Sequence, residues 1–532
     1  MDIRSITISL LISLAAAVTA SAQTSYDDPM SQALMKAFDE LLEEDPRDPE
    51  TLVRRAGLYY AHQDYIKALD DINTAMKYYE PGDEEVRYPA YQLRAKIYQK
   101  QKKYDDALND LNAVLKVSPQ DYGTIYQRAN VLYELGRYPE ANSDYYMMLR
   151  LNPRSQDAML GQAKVAVKQN NLGTANDLAD RAVALTPNSS EIFIGRAAVR
   201  DLMGNRQGAV EDYISAISVD NESTAHALSH LVAMSRTDYP TVMAGLSSAI
   251  SKAPRNGMFY FIRAMIAQGH CNYLAAIADY DKIINENLDS YPGLNGALAE
   301  CYYYLGRYDR ALLNADYAIS ATDDNAFYYV LKSRIKRAMG DNEAALEAAD
   351  KALEKTPESI DALEAKALAE VALSQPAGAS IALSEAAMVN PENPYIQILR
   401  GWVLGDFRKQ ATNSQRAYDM VLDMDFDFDN VQSLRGFALL ALDRKDQADK
   451  WMERVLDTAD DYDGMVNYYA ACYYSQAGMP ERALRCMEAS LEKGYANYHN
   501  WTKASEANVN CAPLRSNPEF TKLLDKYVHL FK

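Results

Sequence analysis

The sequence predicts an all-α protein in which a pair of helices repeats along the chain as a solenoid. Pro119, Pro153 and Pro187 follow one another at intervals of 34 residues. The segment Tyr133–Tyr138 returns as Tyr303–Tyr308 after 170 residues, which is five intervals of 34. A fixed period of this length is typical of repeat arrays, in which each unit buries its apolar face against its neighbours.

Small residues at two fixed positions of each repeat predict closely packed helix pairs. When each repeat is numbered from its first residue, position 8 is alanine at Ala129 and Ala299, and position 20 is alanine at Ala141 and Ala311. Alanine at these positions lets two antiparallel helices approach closely, and larger residues at positions 4, 11 and 24 fill the space beside them. Glycine at position 15, as at Gly136, is expected in the turn between the helices because it adopts a left-handed conformation without strain.

This pattern resembles the tetratricopeptide repeat, which reads approximately W-x2-L-G-x2-Y, then A-x3-F, then P. The resemblance extends from Pro49 to about Asn497. It implies a right-handed superhelical solenoid of about 13 helix-turn-helix repeats with a C-terminal capping helix. Three repeats depart from the pattern: the sixth lacks one residue, the eighth starts one residue late, and the eleventh, Pro394–Phe428, carries an insertion.

The first 22 residues have the pattern of an export signal. Arg4 precedes the apolar run Ile6–Val18, and the segment Ala20–Ala22 supplies the small residues of a cleavage site. The apolar run is too short to cross a bilayer comfortably. We therefore expect residues 1–22 to be removed as a signal peptide, leaving a mature bacterial protein that is periplasmic or extracellular.

The segments on either side of the array are expected to cap it. Residues 23–48 contain the amphipathic stretch Ala33–Glu44, which fits a lone second helix and predicts an N-terminal half-repeat. The array then occupies residues 49–497. Residues 498–532 lack the repeat pattern and resemble the terminal segments that close such arrays, so they predict a C-terminal cap.

The formal net charge of −19 argues against two classes of partner. A negative surface repels both the phosphates of nucleic acids and the anionic lipids of a membrane. No second apolar run is long enough to span a bilayer, so we expect no direct membrane insertion. The sequence leaves the oligomeric state open.

The five cysteines are too few to form a disulfide framework. Buried free thiols are the main expectation, because cysteine packs well as a small apolar residue. One bridge among Cys472, Cys486 and Cys511 stays open as an alternative.

We expect no catalytic residues, no cofactor and no metal site. The sequence has neither a phosphate-binding loop with its lysine nor a G-x-S-x-G nucleophile turn. His226 and His230 have metal-ligand spacing on a helix but lack a third ligand, so a helical pair without metal is expected. The acidic run Asp423–Asp429 lacks the glycine of a calcium loop, which favours a solvated turn over a weak calcium site.

The resemblance also implies where a partner would bind. In this family, positions 2, 5, 9, 12 and 13 of each first helix line the concave groove, and we call them the groove positions. They give these partner-binding candidates: Lys96, Tyr126, Asn130, Tyr133, Lys164, Ile194, Met258, Phe261, Met265, Tyr303, Arg334, Arg337 and Trp402. The lysines are either carboxylate receptors or ordinary solvated side chains. The apolar residues form either an exposed strip or packing between tightly curled repeats.

The sequence thus favours a protein that is not an enzyme and acts as an interaction scaffold or adaptor of the cell envelope. Its partner would be a protein or peptide held in the concave groove. The alternative is a carbohydrate- or peptidoglycan-binding envelope protein that uses groove aromatics such as Trp402 to stack on sugar rings. An apolar strip favours the first function, and a row of exposed aromatic rings favours the second.

Overall fold

A computed structural model describes residues 29–80, 87–219, 224–291, 293–425, 429–504 and 509–532. Every regular element in these ranges is helical, which confirms the predicted all-α class. The expected signal peptide, residues 1–22, lies outside the described residues. The chain divides into two compact units, and the boundary lies between Gly245 and Leu246. We call them the N-terminal unit and the C-terminal unit and describe each by itself.

The N-terminal unit consists of one lone helix followed by regular helix pairs. Its helices are α1 (Pro29–Glu44), α2 (Pro49–Ala61), α3 (Tyr65–Tyr78), α4 (Tyr88–Lys100), α5 (Tyr104–Val117), α6 (Tyr122–Glu134), α7 (Tyr138–Leu151), α8 (Gln156–Lys168), α9 (Leu172–Leu185), α10 (Ser190–Leu202) and α11 (Arg206–Val219). Helix α1 packs against α2, the first helix of the first pair. The first helices of successive pairs also contact one another, from α2 through α10.

The C-terminal unit continues the helix pairs and ends in short helical segments. Its helices are α13 (Gly257–Gly269), α14 (Tyr273–Glu286), α15 (Leu294–Tyr304), α16 (Tyr308–Ala321), α17 (Ala326–Ala338), α18 (Asn342–Lys355), α19 (Ile360–Ala372), α20 (Pro376–Val389), α21 (Pro394–Trp402), α22 (Ala411–Asp423), α23 (Asp429–Ala441), α24 (Lys445–Thr458), α25 (Met465–Gln476), α26 (Pro480–Glu492), α27 (Tyr498–Thr502) and α28 (Pro518–Lys526). Short 3-10 turns occupy Ala512–Ser516 and Val528–Leu530.

Two of the three irregular repeats show how the helix pair tolerates a change of length. The sixth repeat forms one element, α12 (Thr224–Lys252), in which only Asp238 leaves helical geometry, at φ −151° and ψ 63°. The Asp238 carboxylate accepts a hydrogen bond from the Thr241 backbone N–H at 3.2 Å and so caps the following segment. In the eleventh repeat the insertion is absorbed by a π-helical turn, Val403–Phe407, directly after α21.

The small positions have the role that their spacing predicts. Ala129, Ala141, Ala299 and Ala311 are completely buried in the described structure. At Gly161, an added Cβ atom would lie 2.3 Å from the ring of Tyr145 on the neighbouring helix. The close approach of the two helices therefore depends on the missing side chain, and a larger residue there would force the helices apart.

The turn between the paired helices is left-handed whether or not it contains glycine. Gly136, Gly204, Gly306, Gly340 and Gly478 all have positive φ angles, as their position in the repeat predicts. The same conformation occurs at non-glycine residues in other repeats, namely Gln63, Lys102, Asn170, Cys271, Ser374, Lys409 and Asp443. The helix pair therefore imposes this conformation on the turn, although an ordinary side chain there costs about 1–2 kcal/mol.

An arginine–aspartate ion pair recurs inside the repeats at a separation of 16 residues. It joins position 7 of the first helix to position 23 of the second with two hydrogen bonds of 2.6–2.9 Å, in the pairs Arg55–Asp71, Arg94–Asp110, Arg128–Asp144, Arg196–Asp212 and Arg263–Asp279. In several repeats the same arginine also bonds the residue 16 positions earlier, as Arg128 does with Asn112 at 3.0 Å. One guanidinium thus fixes both helices of its own repeat and the preceding repeat.

The C-terminal segment packs at two places within the C-terminal unit. The Lys526 ammonium lies 2.5 Å from a Glu488 carboxylate oxygen, next to the last full helix pair. At the other place, the Arg307 guanidinium donates to the Phe531 carbonyl oxygen at 3.1 Å. The final segment therefore contacts both the last repeat and a repeat that lies about 200 residues earlier in the chain.

Candidate functional site

The groove positions of the N-terminal unit remain open to solvent at several lysines. Lys96 and Lys100 on α4 are exposed, and so is Lys168 on α8. Tyr126, Asn130 and Tyr133 on α6 and Lys164 on α8 are half-buried. These side chains lie on helices that contact one another in sequence, α4 with α6 and α6 with α8. The structure therefore brings this group of candidates together on one row of helices.

Asn130 has an internal role in addition to its groove position. Its side-chain oxygen accepts a hydrogen bond of 2.7 Å from the Tyr145 hydroxyl, and its side chain also hydrogen-bonds Tyr126. Burial raises the pKa of the Tyr133 hydroxyl to about 12. The tyrosines on this face are therefore neutral, well-supported rings with one polar edge, a character suited to contact with a peptide.

Lys164 differs from the exposed lysines beside it. Burial lowers the pKa of its ammonium group, while the Glu134 and Asp157 carboxylates act in the opposite direction. The ammonium makes no hydrogen bond or ion pair closer than 4 Å within the described part of the chain. A positive charge that is partly desolvated and not directly paired favours an incoming carboxylate.

Ile194 on α10 is buried, as are the two central apolar candidates of the C-terminal unit. Phe261 and Met265 on α13 are each 3% exposed, and the Phe261 ring stacks on Tyr291 with ring centroids 4.6 Å apart. Met258 is half-buried. Of the two alternatives for the apolar groove residues, the structure thus favours packing between repeats over an exposed strip.

Tyr303 is covered by the C-terminal segment. His499 lies between two tyrosines, with its Nε2 atom 2.8 Å from the Tyr303 hydroxyl and its Nδ1 atom 2.8 Å from the Tyr308 hydroxyl. The Tyr498 ring lies against Phe531, with centroids 5.2 Å apart, beside Gly306. The groove position at Tyr303 is therefore filled by the chain itself.

Arg334 belongs to a buried polar network that the sequence analysis did not identify. Its guanidinium lies 3.4 Å from an Asp361 carboxylate oxygen and 3.7 Å from one of Glu364. Burial opposes its charge, but Glu364 and Asp361 raise the pKa of the guanidinium. Glu300 and Glu364 occupy groove positions 9 and 5, so applying the groove rule to acidic residues would have found them.

Glu300 is the most perturbed carboxyl group of this network. The Gln268 amide donates to one of its oxygens at 2.6 Å, and the Tyr304 hydroxyl lies 3.4 Å from the other. Burial raises the pKa of Glu300 to about 7, against the opposing effect of Arg334. The carboxyl group therefore changes charge near neutral pH inside the packed interior.

This pKa predicts a stability that falls as pH rises. Between pH 4.5 and about 7 the folded chain retains a proton on Glu300 that the unfolded chain releases. The contribution of the protonated group is thus complete below pH 4.5 and lost above pH 7. Relative to the parent, Glu300→Gln should be more stable at pH 8 than at pH 5.5 by about 2 kcal/mol, measured by urea unfolding. The exposed Glu134→Gln is the control, and an equal effect of Glu300→Gln at both pH values would contradict the prediction.

The remaining two candidates lie in different surroundings. Trp402 is half-buried at the end of α21, and its ring meets Phe407 edge-on with centroids 5.1 Å apart. Arg337 is half-buried on α17, close enough to Tyr308 and Glu364 to affect their pKa values. Neither residue joins the lysine and tyrosine group of the N-terminal unit.

The histidine pair and the acidic run gain no metal-binding feature from the described structure. The His230 ring stacks on Tyr213 at a centroid distance of 4.9 Å, so it has a packing role. No group of three or more potential ligands capable of holding a metal ion occurs within the described ranges. Residues 426–428 of the acidic run lie outside the described residues. None of the described helices combines the length and the apolar character of a membrane span.

The helix pairs, small positions and left-handed turns define a tetratricopeptide-like helical repeat protein. A family model described as tetratricopeptide repeat matches residues 93–146 and 126–190. No curated protein sequence matches the chain.

Solved structures of repeat proteins are similar to this chain at low identity. A tetratricopeptide repeat protein from Parabacteroides merdae is 20% identical, with 60% of this chain and 98% of that chain covered and a TM-score of 0.28. Yeast Tom70 is 15% identical, with 77% and 99% covered and a TM-score of 0.36. YrrB, described as a TPR protein with an unusual peptide-binding site, is 18% identical, with 37% and 98% covered and a TM-score of 0.27.

Proposed function

We propose that this chain is a non-enzymatic interaction scaffold of the bacterial cell envelope, exported to the periplasm or the cell exterior. It binds a protein or peptide partner at the groove positions of the N-terminal unit. The repeat fold supports the general class, because tetratricopeptide repeats act as protein-interaction scaffolds. The export signal pattern of residues 1–22 supports the location.

The observation that carries the proposal is the contrast between the groove positions of the two units. In the N-terminal unit, lysine side chains at these positions are exposed beside half-buried tyrosines. In the C-terminal unit, Phe261, Met265 and Tyr303 are buried by other parts of the same unit. A partner can therefore reach the first set of side chains without displacing any described part of the N-terminal unit.

The exposed side chains also indicate the chemistry of the partner. Lys96, Lys100 and Lys168 are positive in a chain whose net charge is −19, and Lys164 adds an ammonium without a direct ion pair. The rings of Tyr126 and Tyr133 offer apolar contact at little cost in side-chain entropy. An extended segment that carries carboxylates and a few apolar side chains fits this combination.

The carbohydrate-binding alternative receives less support from the described structure. It requires a row of exposed aromatic rings at the groove positions. Tyr303 is instead buried against His499, and Trp402 packs against Phe407. These two aromatic candidates therefore do not form a continuous stacking surface.

The experiment compares two charge reversals of equal kind on the mature chain. Lys96→Glu with Lys100→Glu alters the groove positions, while Lys116→Glu alters an exposed lysine on the second helix α5. Each protein is immobilised and exposed to envelope extract at low and high salt. We expect the parent and Lys116→Glu to retain one stoichiometric protein, and the groove variant to lose at least tenfold in retention, because charge reversal turns attraction into repulsion.

Two outcomes would contradict the proposal. Equal retention by the groove variant would remove the lysines of α4 from the binding site. Retention on purified peptidoglycan or glycan, with no protein retained, would favour the alternative function. Far-UV circular dichroism of all three proteins checks that the substitutions leave the helices intact.

A further inference from the structure

Two cysteines meet where the C-terminal segment returns to the last helix pair. Cys472 lies on α25, and Cys511 directly precedes the 3-10 turn Ala512–Ser516. The Gln476 side-chain amide donates to the Asn510 backbone carbonyl at 2.9 Å. This bond joins the residue one turn after Cys472 to the residue just before Cys511, so it holds the two cysteine backbones side by side.

The two thiols are in direct contact inside the protein. Both residues are completely buried, and their side chains hydrogen-bond each other. The Cys511 sulfur also lies 3.6 Å from the Trp501 carbonyl oxygen. The hydrogen bond from Cys472 lowers the pKa of the Cys511 thiol, and Arg515 acts in the same direction. Burial instead raises the pKa of the Cys472 thiol well above its ordinary value.

The other cysteines have different surroundings. Cys486 lies on α26, and its pKa is raised to about 11 by burial, with Arg485, Arg482 and Asp461 as the charged groups around it. Cys271 occupies a left-handed turn and is near Tyr273 and Cys301. All five cysteines are free thiols in this structure. Of the three bridges that the sequence leaves open, the contact selects the one between Cys472 and Cys511.

We propose that Cys472 and Cys511 are a redox modification site, at which a small-molecule disulfide oxidises the two thiols to one bridge between α25 and the C-terminal segment. The proposal is independent of the binding function, because it concerns residues of the C-terminal unit only. An exported protein meets an oxidising environment, in which such a bridge persists.

The reaction balances as two consecutive thiol–disulfide exchanges. The Cys511 thiolate attacks one sulfur of the small disulfide, which forms a mixed disulfide and releases one thiolate. The Cys472 sulfur then attacks the Cys511 sulfur, breaks the mixed disulfide and releases the second thiolate. The protons of the two cysteines pass to the released thiolates. The protein loses two electrons, and the small disulfide gains them.

The bridge would control how firmly the C-terminal segment is held. That segment carries His499, which covers Tyr303 and Tyr308, and Phe531, which accepts from Arg307. A covalent link at residue 511 keeps the segment near these contacts even when they open briefly. Because both thiols are buried, oxidation takes place during folding or in moments when the segment is undocked.

Trypsin separates the three relevant cysteines, which makes the site directly testable. The expected peptides are residues 455–482 with Cys472, residues 486–493 with Cys486 and residues 504–515 with Cys511. The full mature chain is refolded with oxidised glutathione, its free thiols are alkylated in denaturant, and the digest is analysed by mass spectrometry without reduction. We expect a crosslink between peptides 455–482 and 504–515, and three alkylated cysteines out of five.

Limited proteolysis gives the second measurement. Cleavage after Lys503 and Arg515 should slow at least tenfold in the oxidised parent relative to the reduced parent. Cys486→Ser should show the same slowing, while Cys472→Ser and Cys511→Ser should show none. Recovery of alkylated Cys472 and Cys511 from the folded, oxidised parent would overturn the proposal, and so would a crosslink to peptide 486–493.

Discussion

Replacing Arg128 with methionine is expected to lower the free energy of unfolding of the N-terminal unit by about 3 kcal/mol. Asp144 is 6% exposed and accepts two hydrogen bonds from Arg128, at 2.7 and 2.8 Å. Methionine keeps much of the apolar stem but leaves the carboxylate buried without its cation, and the cost of desolvating that charge is then not compensated. Urea unfolding followed by circular dichroism measures the loss, and hydrogen exchange of α6 and α7 localises it.

An exposed ion pair provides the control for this prediction. Arg54 lies 2.5 Å from Glu50 on the surface of α2, where both side chains are more than half exposed. Arg54→Met should change the free energy of unfolding by less than about 1 kcal/mol, because water already solvates both charges. A double variant, Arg128→Met with Asp144→Leu, should recover most of the loss. Equal costs for Arg54→Met and Arg128→Met would show that burial of the aspartate is not the cause.

The second large effect is expected for Phe261→Asp combined with Met265→Asp. Loss of a buried phenylalanine alone costs about 3–5 kcal/mol, and a buried carboxylate without a partner adds several more. Both positions are 3% exposed, and Phe261 stacks on Tyr291. We therefore expect the C-terminal unit to unfold, with a substantial loss of helical circular dichroism and of slow hydrogen exchange in α13–α15.

Tyr146→Asp is the matched control, since Tyr146 is 60% exposed on the second helix α7. This variant should change the free energy of unfolding by no more than about 0.5 kcal/mol. If the Phe261 and Met265 double variant keeps its full helical signal, the packing of α13 described above is wrong. If it unfolds as expected, loss of partner binding in that variant would not locate a binding site.

The repeat pattern predicted the fold well because each repeat is determined by short-range chemistry. Alanines such as Ala141 are buried where two helices approach, and Gly136 has the left-handed conformation that its turn requires. The same reasoning did not anticipate that Ser374 and Asp443 adopt that conformation without glycine. It also did not show how the inserted residues near Trp402 fit, because a π-helical turn has no composition signal of its own.

The environment of the groove positions could not be derived from the repeat. Tyr126 and Tyr303 occupy equivalent kinds of position, yet only Tyr303 is covered, because His499 reaches it from 196 residues away. A period of 34 residues describes neighbouring repeats and contains no information on which distant repeats meet. The Arg128–Asp144 pair, in contrast, was visible as arginine and aspartate recurring 16 residues apart. A search for charged residues at this separation would have found it.

The repeated ion pair has a consequence for how such a chain can change in length during evolution. Arg94 and Asp110 lie in one repeat, and Arg128 and Asp144 lie in the next. Each of these repeats therefore brings both members of its buried pair, so duplication or loss of a whole repeat leaves no interior charge without its counterion. A deletion that ends inside a repeat would separate the two members. Selection against stranded charges would thus favour recombination in whole-repeat steps.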